Sequence, residues 1–146
     1  MYPESKEAAI ERFVESYAAN IAAADDAAVT AHFAEVFMAG GPGGVMAVRA
    51  VDFAKALPRR RQLFADLGLR ASSLVAAEQR PLTDRFWLVT TRWQMKFAGG
   101  EARIAEEIAS ETVLIVDTGA ESFQIVMFLH SEDVAALRSK GSEQLR

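Results

Sequence analysis

Few side chains in this chain can move a proton near neutral pH. Its 146 residues include two histidines, His32 and His130, and no cysteine. Thiolate nucleophiles, disulfides and cysteine ligands are therefore excluded, and an all-protein zinc site is short of donors. No metal and no cofactor is expected. Two groups remain as candidate catalytic residues, Glu106 and His32. If Gly99-Gly100 closes a two-residue hairpin turn, Met95 faces Ile104, Trp93 faces Glu106 and Thr91 faces Ile108. A carboxyl among such apolar neighbours loses hydration, which favours its neutral form and suits a general acid or base. The plain alternative is a carboxylate reaching water at the hairpin end. His32 adjoins Phe33, and its imidazole suits a proton shuttle; a core or surface histidine is the duller alternative. His130 falls on the opposite sheet face by alternation.

The same alternation sorts the other candidates. A two-residue turn at Thr118-Gly119 sets Leu114 opposite Phe123, Thr112 opposite Ile125 and Ser110 opposite Met127. One face then carries Trp87, Thr91, Trp93, Met95, Glu106, Ser110, Thr112, Phe123 and Met127, and its apolar character places it under the helices. With Tyr17 from the first helix, Thr91, Ser110 and Thr112 offer hydrogen bonds to a ligand. Trp87, Trp93, Met95, Phe123 and Met127 offer apolar walls. The other face carries Leu88, Val113, Val126 and Phe128 among charges such as Arg92 and Glu107. A half-apolar exposed face of this kind suggests a homodimer contact; a wet sheet face is the bland reading.

These residues need elements to hold them. Ile10, Phe13, Val14, Tyr17 and Ile21 recur at helical spacing, and Asp25 can cap a second helix carrying Val29, Phe33, Val36 and Phe37 until Gly40. The segment Gly40–Gly44 lacks the Lys-Ser/Thr and preceding strand of a phosphate loop and reads as a flexible connector or pocket lip. A third helix carries Val51, Phe53, Ala54, Leu57, Leu63, Phe64 and Leu67, with Pro58 expected to kink or restart it. The run Arg59-Arg60-Arg61 reads as a solvated face; Arg49 and Asp52 could line a cavity mouth but read better as solvated charges at the helix start. Strands follow over 70–80, 84–97, 103–116 and 123–130, joined by short turn-rich segments that favour hairpins. Three N-terminal helices packed on an antiparallel sheet make an α+β domain. The stretch beyond Leu137, 138–146, reads as a frayed tail.

Composition excludes further classes. A net charge of −4, without a basic stripe interleaved with aromatics, argues against nucleic acid. The longest uncharged run, Val36–Val48, has thirteen residues and is broken by glycines, and the acidic N-terminus is unlike a signal peptide. A single cytoplasmic domain without membrane contact is expected.

The order of elements resembles the nuclear transport factor 2-like superfamily, the cystatin-like α+β cone that includes SnoaL-like proteins. The resemblance is carried by the first helix running into Ala24-Asp25-Asp26, by His32-Phe33 closing the next, by the long strand Phe86–Phe97 and by Glu121–Asp133. Phe123 stands near a position where many members have Trp. The resemblance implies a curved sheet, an enclosed apolar pocket between sheet and helices for a small apolar ligand, and frequent dimers. It implies no single reaction, since members include isomerases, dehydratases, polyketide cyclases and noncatalytic binders. The Tyr/Asp/Asp set of the steroid isomerases and the Asp-Arg-Asp trio of the epoxide hydrolases have no counterpart placed here. Three readings follow: a small-molecule-binding protein, an acid–base enzyme on an apolar carbonyl compound, or a noncatalytic dimeric interaction module.

Overall fold

The first helix, α1 (Lys6–Ala22), opens where Ser5 accepts a hydrogen bond from the Ala8 amide at 3.2 Å, and it buries Ile10, Val14 and Tyr17. The chain leaves it through Ala24, held at φ 54°, and Asp25 caps the short α2 (Asp26–Thr30) through the Ala28 amide at 3.1 Å. The computed structural model describes residues 4–98 and 106–130. The Gly99-Gly100 turn, Arg103, Ile104 and the tail 138–146 lie outside the described residues.

The chain does not continue as helix through Phe33 and Phe37; it forms a hairpin, β1 (Phe33–Gly41) with β2 (Gly44–Arg49). The glycine-dense segment is the turn of that hairpin. Gly44 adopts φ +124°, which L side chains rarely tolerate, and a Cβ on Gly40 would stand 2.7 Å from the Leu129 side chain. Glycine is there because strands must pass closely.

One continuous helix, α3 (Ala50–Asp66), then runs through Pro58, which costs it one backbone hydrogen bond without breaking it. Phe53 and Leu57 reach the main core and Phe64 a smaller one, whereas Val51 and Leu63 stay exposed. The arginine run does more than face water: Arg61 pairs with Asp26 of α2, and Arg60 stacks over Phe64 at 5.2 Å.

The remaining strands are β3 (Leu69–Pro81), β4 (Phe86–Phe97), β5 (Glu106–Asp117) and β6 (Gln124–His130). They join the hairpin in a six-stranded sheet of order β2-β1-β6-β5-β4-β3. The sheet is mixed, since β1 runs parallel to β6. Extra residues in β3, at Arg70 and Val75, interrupt its pairing with β4 and bend it.

The expected register differs from the observed one by four residues in the β4–β5 pair. Trp93 faces Ser110 and Phe97 faces Glu106. An even offset keeps every side chain on its face, so Trp87, Val89, Thr91, Trp93, Leu114 and Val116 do lie under the helices. In β6 the face assignment fails partway. Val116 pairs with Ile125 but Ile115 pairs with Met127, leaving Val126 as an extra residue. This bulge reverses the alternation. Phe128 turns inward onto the core, 6.4 Å from Phe33, and Met127 turns outward. Phe128 therefore does not belong to the exposed face, and Met127 does not belong to the inner one.

Candidate functional site

Most of the residues expected to line a pocket are packed against one another. Thr91 is fully buried, accepts a hydrogen bond from Trp93 Nε1 at 2.9 Å and donates to the Thr112 carbonyl at 3.0 Å, with its hydroxyl also in contact with that of Thr112. Tyr17 crosses Trp93 edge-on at 6.3 Å, and burial pushes its phenol well above the ordinary value, an effect that Arg60 partly offsets. The polar side-chain atoms of Thr91, Thr112 and Trp93 thus find partners in one another. Trp87 is also buried, and its Nε1 has no partner among the described residues. Met95 belongs to the smaller core with Phe64 and Phe97, Ser110 stands opposite Trp93, and Met127 is on the outer face.

Open space instead flanks α1. On one side a groove of about 310 Å³ is lined by Ala9, Arg12, Phe13, Ser16, His32 and Phe123. His32 leaves the end of α2 with its Nδ1 2.8 Å from the Ala28 carbonyl oxygen. A carbonyl only accepts, so Nδ1 carries a proton, and in the neutral ring Nε2 is the acceptor. The imidazole sits 4.9 Å from the Phe13 ring and 5.6 Å from Tyr17. Phe123, just ahead of β6, stacks at a tilt 6.1 Å from Phe13 and completes an aromatic wall. Ser16 and Arg12, the latter paired with Glu4, are the groove's donors. This arrangement can hold a flat apolar body and offer it one proton acceptor.

His32 and Phe123 are thus brought together, as members of one groove. Glu106 is not beside Trp93; it begins β5 opposite Phe97, and its side chain lies outside the described residues. Sequence reasoning passed over Arg12 and Ser16 because both lie off the apolar stripe of α1. The available signal was their spacing, since Arg12, Phe13 and Ser16 share one side of a helix. Among the described residues no three acidic or histidine side chains gather as a metal site, and no helix is long and apolar enough to cross a membrane.

No family model and no curated protein matches the chain. Solved structures do match. An NTF-2-like protein of unknown function from Shewanella oneidensis is 15% identical, covers 88% of this chain and 100% of its own, and superposes with a TM-score of 0.69. A ketosteroid isomerase-like protein from Erwinia carotovora atroseptica is 17% identical over 88% of this chain and 97% of its own, at 0.67. An NTF2-like protein with a cystatin-like fold from Novosphingobium aromaticivorans is 13% identical over 89% and 86%, at 0.66. The chain has the NTF2-like, cystatin-like α+β fold.

Proposed function

We propose that the domain binds a small molecule with a flat, largely apolar body in the groove beside His32. As an enzyme it would carry out acid–base chemistry on a carbonyl compound, of isomerase, dehydratase or cyclase type. The observation that carries the reading is the Nδ1–H of His32 committed to the Ala28 carbonyl, which leaves Nε2 of the neutral ring as proton acceptor, in an imidazole 4.9 Å from Phe13 that lines one groove with Phe123. Nε2 would take a proton from the carbon next to the carbonyl, and Ser16 or Arg12 would hydrogen-bond the resulting enolate oxygen. A groove of about 310 Å³ suits a ligand of one or two rings. Glu106 stays a second candidate for proton transfer, placed opposite Phe97 rather than Trp93. Similarity to a ketosteroid isomerase-like protein supports the class of chemistry and nothing narrower.

The test uses 2-tetralone, a flat apolar ketone with exchangeable α-protons. In D2O the protein should accelerate exchange of those protons, and His32→Gln should reduce the acceleration by about a hundredfold or more. Equal exchange by His32→Gln would overturn the catalytic reading. Binding without exchange would assign the domain as a noncatalytic carrier, and absence of binding would sink both.

The outer sheet face supports a homodimer as the second part of the proposal. Leu88 and Val113 remain on it, and the β6 bulge adds Met127 and Leu129 beside Ile115 while removing Phe128. All five are only partly buried in one protomer, and no described element covers them. A twofold-related copy would cover this stripe with the same stripe.

A further inference from the structure

The two sides of α1 carry opposite charge. The groove between that helix and β3, of about 410 Å³, is lined by Glu11 and Glu15, with Ala77 and Gln79 contributed by the strand. The His32 groove has no carboxylate in its lining, where the ionisable members are Arg12 and His32. Their positions follow from the pitch of the helix. His32 lies against Phe13 and Tyr17, one turn apart, at 4.9 and 5.6 Å, and Ser16 belongs to that same turn. Arg12 starts one turn before Ser16, and long helical side chains lean toward the helix N-terminus. Its guanidinium does so, reaching Glu4 ahead of the Ser5 cap. The groove therefore has a proton acceptor and a hydroxyl toward one end and a guanidinium toward the other, with the Phe13 and Phe123 rings alongside.

What the guanidinium holds shows what it is suited to hold. Glu4 accepts a hydrogen bond from Arg12 Nη2, so a carboxylate already occupies this end. Glu4 belongs to the chain ahead of α1 and not to the groove lining, and both side chains are exposed. The other N–H groups of Arg12 have no acceptor among the described residues. Arg85 makes the opposite kind of pair: it donates twice to Asp117, whose side chain is only 10% exposed, and so fixes a turn. An exposed, singly bonded pair like Arg12 with Glu4 is weak, because water screens it and two long side chains lose freedom. A second carboxylate can compete for the same guanidinium. A ligand whose rings lie against Phe13 and Phe123 brings its carboxylate there with apolar contacts that Glu4 does not supply.

Resting on the function proposed above, we infer that the substrate class of the His32 groove is a cyclic keto acid. Its carboxylate is taken by Arg12 in competition with Glu4, which leaves its ketone oxygen to Ser16 and the neighbouring carbon to His32 Nε2. The test compares 2-tetralone with its 6-carboxylate, in which ketone and carboxylate stand at opposite ends of the rings. Affinities are read from amide chemical shifts of the full chain. The carboxylate should bind about two- to fivefold more tightly, the range for a partly solvated ion pair, with shifts over Ala9–Ser16 and around His32 and Phe123. The 6-aminomethyl analogue, of opposite charge, should bind no better than 2-tetralone. Arg12→Gln should bring 2-tetralone and its carboxylate to equal affinity. Glu4→Gln, which removes the competitor, should tighten the carboxylate alone, and added salt should narrow the preference. Arg12 and Glu4 are exposed, so both variants should fold normally. If 2-tetralone binds and its carboxylate binds no more tightly, the small-molecule reading of the groove stands and this inference falls. A preference that survives Arg12→Gln, or shifts confined to Leu74–Gln79, would also overturn it, and binding of neither ligand would remove both.

Discussion

The two faces of the sheet use the same strands and opposite chemistry. On the inner face of β4 and β5, Val89, Thr91, Leu114 and Val116 are at most 1% exposed, and the polar one among these four, Thr91, hydrogen-bonds Thr112 and Trp93. On the outer face Leu88, Thr90, Val113 and Ile115 are partly buried, and toward the Phe97 end they give way to Arg92 with Glu111 and Lys96 with Glu107. The inner face is finished by the protomer itself. The outer face is apolar where no described element covers it and charged where water reaches it. Alternation alone assigns residues to faces, but it does so only while the ladder stays regular, and one extra residue at Val126 exchanges the roles of Met127 and Phe128.

The contrast can be broken by substitution, with the largest effect in the core. Leu114→Ala deletes a fully buried side chain and should cost about 2–5 kcal/mol in chemical denaturation; a loss of less than about 1 kcal/mol would mean that the inner face is not close-packed there. The β6 bulge predicts a split between neighbours. Phe128→Ala should destabilise the protomer by about 2–3 kcal/mol, somewhat below the value for a fully buried ring, without acting first on association. Met127→Asp should leave the fold intact and shift the species in sizing or ultracentrifugation to a monomer. The reverse pattern, with Phe128 governing association and Met127 governing stability, would show that the alternation runs unbroken through β6. A wild-type chain that is monomeric at high concentration would remove the dimer proposal itself.

The smallest effect concerns the end of the same strands. Arg85 donates to Asp117 through Nε at 2.7 Å and Nη2 at 2.9 Å, and the Gly119 amide adds a third bond at 2.9 Å. These interactions hold the Asp117 carboxyl below its ordinary value, the Arg85 hydrogen bond first among them. A lowered folded-state value means that the contribution is complete above the usual carboxylate range and is lost as pH falls through the depressed one. Asp117→Asn should therefore lower the melting temperature by a few degrees at neutral pH, and the gap should close in strong acid. A gap that persists unchanged in acid would show that the charge is not what stabilises the turn. The exposed guanidinium keeps this effect modest.

Much of the frame was legible in the chain. The α1 stripe, the Asp25 cap, the extents of β3 to β6 and the inner side of β4 all follow from periodicity and turn residues, because those are local properties of the backbone. The β1 strand was not legible, for a physical reason. Phe33 and Phe37 are four residues apart, a spacing that keeps side chains on one face in a helix and in a strand alike. What decides for the strand is pairing with β2 and β6, contacts that no short window contains. The register offset has a similar origin. A glycine pair suggests the shortest turn, whereas the pairing of Phe97 with Glu106 makes the connection longer.

The sites divide the same way. Residue types alone narrowed proton transfer near neutrality to a carboxylate or one of two imidazoles, since the chain offers no thiol. That reduction needs no coordinates. Which tautomer His32 presents, and that it stands with Phe13 and Phe123 beside α1 rather than with the tryptophans, was decided by the Ala28 carbonyl and by helix packing. The groove between α1 and β3 is wholly tertiary. Glu11 and Glu15 precede Ala77 and Gln79 by more than sixty residues, and they become neighbours only because α1 lies across a bulged edge strand. Sequence sets each residue's chemistry and local path; the closing of distant segments sets which chemistries meet.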